Sequence, residues 1–210
     1  MIRGKIIKVM KKRTIFIGIL VLTMFISSVC FYLNFQFWTH RNTNHFIHLL
    51  EYKTNNIYGL RGQQILVNRG FQRQMDKLNI YAVDNDVDLI VIQSYRRPYQ
   101  KLKDTVVSPV GNSNHLCGYA VDINIKYDGV NYLSHDLCIV NFPRLPSQVK
   151  RFISNVRKDN ELRWGGDFKS EDPVHIDFPL NHINLIVWKE KAKMCQEDYY
   201  ASHPKWMVWE

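Results

Sequence analysis

The hydrophobic pattern opens with an unbroken run. Residues 14–34, TIFIGILVLTMFISSVCFYLN, hold no charged side chain, close to the ~20 residues a helix needs to cross a bilayer. Residues 35–62 follow as polar, irregular sequence with turn-like RNTNH and KTNN, read as a juxtamembrane linker plus a first packing segment. From Gln64 to about Asp84, apolar residues recur at helical spacing (Ile65, Leu66, Phe71, Met75, Leu78, Ala82), with Gly70 weakening the first turns. VDLIVIQSY is β-branched and apolar, the signature of a buried strand. A loop with Pro98, Pro109 and Gly111 leads into AVDINI. There the alternation puts Val121, Ile123 and Ile125 on one face and Ala120, Asp122 and Asn124 on the other.

Tyr127 to Pro146 reads as a loop-rich insertion. SQVKRFISNVRKDN predicts a helix with Ser147 as N-cap and Val149, Phe152, Ile153 and Val156 inward. LRWGGDF is a turn. VHIDF repeats the strand alternation, with Val174, Ile176 and Phe178 opposite His175 and Asp177, and Asn181 to about Tyr200 reads as a last helix. The element order predicts an α+β domain at residues 63–210: a small antiparallel sheet with flanking helices and one polar face.

Charge sharpens the N-terminal reading. The formal net charge is +9, yet six basic residues and no acid fall in residues 1–13, so the excess over the rest of the chain is only +3. The basic segment flanks the apolar run on its N-terminal side. It is expected to stay in the cytoplasm and leave the remaining chain on the outer face of the cytoplasmic membrane. The run is long for a signal-peptide core and no A-x-A-like site follows it, so it reads as an uncleaved single-pass anchor. No basic run interleaved with aromatics follows, so nucleic acid is not an expected partner. Of four cysteines, Cys30 lies in the apolar run; Cys117, Cys138 and Cys195 allow at most one bridge, with Cys117–Cys138 the first choice.

The chemistry-bearing residues cluster in the two alternating segments. His115, Asp122 and His175 offer two imidazoles and one carboxylate, a zinc set that leaves one position for water. Zinc lowers the pKa of such a water to about 7. Asp172, three residues before His175 in DPVH, is the candidate base. Any one of these residues alone reads more simply as a structural hydrogen-bonding group; their conjunction points to a site.

The pattern S-x-H-x-x-G-x-A-x-D, present as Ser113, His115, Gly118, Ala120 and Asp122, resembles the zinc D-alanyl-D-alanine peptidase family. That family includes D,D-carboxypeptidases, D,D-dipeptidases and L-alanyl-D-glutamate endolysins, and shares its fold with the Hedgehog signalling domain. DPVHID, LRWGGDF and SYRRPYQ are similar to further family segments, so the resemblance spans about Gln64 to Phe178. It implies Zn²⁺ on His115, Asp122 and His175, and Asp172 as catalytic acid/base. It also implies Arg96 facing substrate as an oxyanion or carboxylate partner, Ser113 beside the substrate, and Asp177 orienting His175. Peptidoglycan stem peptides are the implied partner. The family's S-G-Y-R glycine is missing here, Arg97 competes with Arg96, and the base is Asp as in the endolysin-like branch. A zinc-containing recognition domain of the same fold, without turnover, is the alternative.

Overall fold

A computed structural model describes residues 2–33, 47–98, 100 and 111–202. The chain forms two compact units, Met1–His45 with Tyr200–Glu210, and Phe46–Tyr199. The first contains helix α1 (Ile2–Leu33). Its stretch Thr14–Tyr32 is the one helix among the described residues long and apolar enough to cross a membrane, and none of it is buried.

The second unit is built on strands β1 (Leu49–Glu51), β2 (Ile57–Gly59), β3 (Leu66–Asn68), β4 (Asp88–Gln93), β5 (Ala120–Tyr127), β6 (Val130–Tyr132), β7 (Arg163–Trp164) and β8 (His175–Asp177). Five of them form the main sheet in the order β2-β4-β5-β8-β7, with β6 pairing β5 beside this path; β1 and β3 make a separate two-stranded sheet. The first packing segment expected within residues 35–62 thus takes the form of two short strands. The sheet is not wholly antiparallel, because β2 runs parallel to β4. Between them the chain passes through β3 and helix α2 (Gln72–Asp84), the crossover that a parallel pair requires.

Helix α2 and helix α4 (Ser147–Lys158) carry the helical half of the core. Met75, Leu78 and Ala82 on the first and Val149, Phe152, Ile153 and Val156 on the second are buried. With them are buried Leu89, Val91, Val121, Ile123, Ile125 and Ile176 from the strands. Each large side chain so buried contributes about 1.5–3 kcal/mol. This is the face of β5 that the alternation predicted, and it leaves Asp122 on the opposite side.

Several boundaries differ from expectation. The helix predicted from Gln64 begins only at Gln72. Ile65 and Leu66 are buried, but Leu66 lies in β3, paired antiparallel to β1. Asn68 then turns the chain by accepting the Gly70 N–H at 2.9 Å, and a 3-10 turn at Arg69–Phe71 precedes the helix. Ser147 is not an N-cap: it is the first helical residue, and its hydroxyl bonds Gln148 at 2.9 Å. The insertion from Tyr127 to Pro146 holds β6, helix α3 (Ser134–Leu137) and a 3-10 turn at Phe142–Arg144. The last helix is broken at Asn184 into α5 (Leu180–Ile183) and α6 (Leu185–Ser202). The Asn184 side chain accepts the Val187 N–H at 3.1 Å, which restarts the helix in the manner of an N-cap.

The Cys117–Cys138 bridge is absent, and no disulfide joins any two of Cys117, Cys138 and Cys195. Cys117 is buried, whereas Cys138 lies near the surface with its thiol on the His135 carbonyl at 3.0 Å.

One carboxylate ties the far end of the chain to the start of the domain. Asp198 on α6 is 7% exposed and accepts the backbone N–H groups of Ile47, His48 and Leu49 at 2.8, 3.0 and 2.7 Å. Asp198→Ala strips three donors of their charged acceptor and is expected to destabilise the fold by about 3 kcal/mol. Asp198→Asn keeps one acceptor oxygen and loses less. Denaturant titration of the two variants checks the order; a loss below about 1 kcal/mol for Ala would show that β1 is held by other contacts.

Candidate metal centre

The site is assembled where β5 and β8 pair. Their antiparallel register sets Asp122 opposite His175 and Ala120 opposite Asp177. Alternation along each strand therefore brings Asp122 and His175 to the same face, away from the core. The third member arrives from the turn before β5. Ser113 caps a 3-10 turn at Asn114–Cys117, and its hydroxyl oxygen accepts the His115 N–H at 3.4 Å. Gly118 ends that turn at φ +73°, a conformation that favours glycine. A Cβ there would also lie 2.6 Å from the Asn68 nitrogen, whose N–H donates to the Gly118 carbonyl.

Three donor atoms converge. His115 Nε2 lies 3.1 Å from Asp122 Oδ1 and 3.2 Å from His175 Nδ1. His175 Nδ1 lies 2.9 Å from the same carboxylate oxygen. These three residues are the described group able to hold a metal ion. The spacing fits zinc: tetrahedral ligands at bond lengths of about 2.0–2.2 Å sit roughly 3.3 Å apart. The tautomers fit as well. The other nitrogen of His115 faces the Ser94 carbonyl at 2.8 Å, so that nitrogen carries the proton and Nε2 presents its lone pair. His175 Nε2 faces Asp177 Oδ2 at 3.5 Å, leaving Nδ1 for the metal.

Asp177 is itself fixed. It is 2% exposed and takes Arg163 in two bonds at 2.9 and 2.6 Å. It also accepts from Asn114 Nδ2 at 2.7 Å, and Asn181 completes the cluster through Asn114 at 3.0 Å. Sequence reasoning found Asp177 but not Arg163, Asn114, Asn181 or the Ser94 carbonyl. The one available signal was the alternation of β7, which sets Arg163 in register with Asp177 once the strands pair.

The electrostatics match a cation site. Burial would raise the Asp122 carboxyl, but His115 and His175 outweigh it and hold it well below the usual carboxylate range. Burial would lower His175, yet Asp122 and Asp177 raise it to about 10. Asp177 is held down at about 2 by His175 and Arg163 against its burial. Without metal, the cluster thus keeps a proton on His175 at neutral pH, in the place a cation takes.

The loop before β8 explains WGGDF. The Asp172 N–H donates to the Gly165 carbonyl at 2.9 Å and the His175 N–H to the Asp172 carbonyl at 3.0 Å. Trp164 Nε1 holds the Pro173 carbonyl at 2.7 Å. A Cβ on Gly165 would lie 2.2 Å from the Asp172 carbonyl oxygen, and one on Gly166 2.3 Å from the Trp164 ring. Both glycines are therefore needed to seat the segment carrying Asp172 and His175. The Asp172 carboxyl is raised by burial and by Asp122, with the two imidazoles opposing.

Arg96 lies just beyond β4, past a β-bulge between Val91 and Gln93. Its backbone N–H donates to the His115 carbonyl at 3.1 Å. Its side chain is 6% exposed, and among the described residues its guanidinium has no acceptor. Burial lowers its pKa while the Asp122 carboxylate raises it, so the two charges interact. Arg97 points elsewhere, over the Tyr199 ring at 5.5 Å. Cys117, inside the first motif, is not among the donors. Its thiol bonds the Asn114 carbonyl at 3.2 Å, and burial together with Cys195 pushes its pKa far up.

A family model described as D-alanyl-D-alanine carboxypeptidase matches residues 107–178, the stretch from the approach to Ser113 through β8. No curated protein matches the chain. Residues 107–178, which carry all three donors, are thus similar to the D-alanyl-D-alanine carboxypeptidase family of peptidases.

Proposed function

We propose that the chain is a membrane-anchored, exported zinc metallopeptidase that hydrolyses stem peptides of bacterial peptidoglycan. The observation that carries this reading is the convergence of His115 Nε2, Asp122 Oδ1 and His175 Nδ1 on one point, flanked by a carboxyl of raised pKa and a buried guanidinium that has no acceptor among the described residues. A structural metal requires neither of these flanking groups.

His115, Asp122 and His175 would hold the zinc, which supplies Lewis-acid polarisation and lowers the pKa of water. Asp172 takes the proton of the attacking water on a carboxylate oxygen and returns it to the leaving nitrogen. Its raised pKa brings it closer to the neutral range in which a base must also release its proton. Arg96 offers fixed positive charge to the carbonyl oxygen as it gains charge, or to a terminal carboxylate of the substrate. Asp177, held by Arg163 and Asn114, keeps the His175 ring in its tautomer. Ser113 steadies the turn that delivers His115. The Asp at 172 and the WGGDF turn favour cleavage within the stem, L-Ala-D-Glu, over D-Ala-D-Ala.

The full chain in detergent is expected to clear a peptidoglycan zymogram, to stop when chelator removes the metal and to resume when zinc is returned. A protein that binds zinc stoichiometrically yet clears no peptidoglycan under any condition would be a recognition domain instead. In intact cells the domain should be cut by protease added outside; protection there would place it on the other side of the membrane.

Arg96→Ala is expected to spare the metal and slow turnover by about 10²-fold, as loss of an oxyanion partner does. Arg97→Ala should stay near wild type, since that side chain packs on Tyr199. Equal losses in the two variants would remove Arg96 from the proposed role.

A further inference from the structure

Cys117 and Cys195 are both wholly buried, and they share one compartment. The Cys195 thiol on α6 donates to the Cys117 carbonyl at 3.3 Å. It accepts Asn68 Nδ2 at 3.2 Å, and the Asn68 N–H in turn holds the Gly118 carbonyl at 2.9 Å. The Cys117 thiol rests on the Asn114 carbonyl at 3.2 Å. Each sulfur thus bonds neutral amide groups, and the Cys195 thiol reaches the backbone of Cys117 itself. Cys138 sits apart on the insertion, its thiol on the His135 carbonyl.

We propose that Cys117 and Cys195 are the disulfide-forming pair of this chain, and that the bond latches α6 to the turn that carries His115. One thiolate attacks a disulfide oxidant RSSR, forming a mixed disulfide and releasing RSH. The second thiolate then displaces the other RSH. Two thiols become one S–S bond, and RSSR is reduced to two RSH. The oxidant is a protein or small-molecule disulfide of an oxidising compartment, so its supply in the cell rests on the export proposed above. Because both thiols are buried once α6 has docked, the exchange belongs to the folding chain rather than to the packed domain.

The two cysteines are 78 residues apart in sequence. A bridge across so long a loop restricts the unfolded chain strongly. It also pins two segments of different origin: the turn holding a metal ligand, and the helix whose Asp198 clamps β1. Loss of the bond should therefore lower Tm and loosen metal binding together.

The test uses the full chain carrying Cys30→Ser, purified in detergent, unfolded with reductant, and refolded in chelator with a mixture of reduced and oxidised glutathione. Free thiols are then alkylated and the protein is digested for peptide mapping. The expected result is a peptide pair joined through Cys117 and Cys195, with Cys138 alkylated and Tm roughly 10 °C above that of the reduced protein. Adding Cys138→Ser should preserve both the linked pair and the shift; Cys195→Ser should abolish both. Should Cys195→Ser not fold, the Cys138→Ser chain still decides the matter through its linked peptide. A bond from Cys138 to either partner would overturn the proposal, as would full alkylation of Cys117 and Cys195 after oxidative refolding. The readout is independent of hydrolysis. A linked but inactive protein would refute the peptidase reading alone, and an active protein with free thiols would refute only the bridge.

Discussion

Asp172→Asn is expected to keep its zinc and to lose about 10²- to 10⁴-fold in hydrolysis rate, about 3 to 5 kcal/mol of barrier. The amide preserves the size of the side chain and leaves the Asp172 backbone bonds to Gly165 and His175 untouched. What it cannot do is accept a proton at neutral pH. The pH profile adds a second readout. A base works only when ionised, and Asp172 titrates above the usual carboxylate value because it is buried and beside Asp122. The acid limb of the wild-type rate should therefore lie at higher pH than an ordinary aspartate would give, and it should vanish from the residual activity of the variant. Zinc content by elemental analysis and hydrolysis rate, measured on the same preparation, check both parts. Wild-type hydrolysis by Asp172→Asn would end the proposed mechanism.

The second large effect is loss of metal. His115→Ala or His175→Ala removes one of three donors and should abolish zinc retention and hydrolysis together. The drop in affinity should exceed the 10- to 100-fold that removal of an outer partner typically costs. Asp177→Asn, which disturbs the His175 ring without removing a donor, should fall in that smaller range. The ligand variants also leave Asp122, with its side chain 16% exposed, short of a partner. Their metal-free forms should consequently be less stable than metal-free wild type. Its depressed pKa gives the sign: Asp122 contributes stability at neutral pH that fades as acid protonates it. Equilibrium dialysis against zinc provides the measurement. Full occupancy in both histidine variants would remove the basis for the site.

The residues of the candidate site were legible because two short strands with period-2 alternation each carry metal-competent groups on the face opposite Val and Ile. That pattern survives in the structure as Asp122 across from His175. Gly118, Gly165 and Gly166 were legible as glycines in motifs. Their reasons appear only in three dimensions: a left-handed turn backed against Asn68, and close approaches to Asp172 and Trp164. The helix expected from Gln64 failed for a related reason. Ile65 and Leu66 are buried by strand pairing with β1, and periodicity cannot tell a buried strand from the first turn of a helix when the partner strand lies elsewhere in the chain.

What the sequence by itself determined was local. The apolar stretch, the inward faces of α2, α4 and β5, and the identities of His115, Asp122, Asp172 and His175 follow from side-chain periodicity and from chemistry carried within a few residues. The tertiary structure alone decided which distant groups meet. Arg163 and Asn114 close on Asp177, the Ser94 carbonyl sets the His115 tautomer, and Asp198 gathers the N–H groups of β1. It also set Cys195, rather than Cys138, beside Cys117. Such contacts join residues 14 to 151 positions apart in sequence. Short-range pattern does not encode them, because strand register and helix docking fix them only after the core has formed.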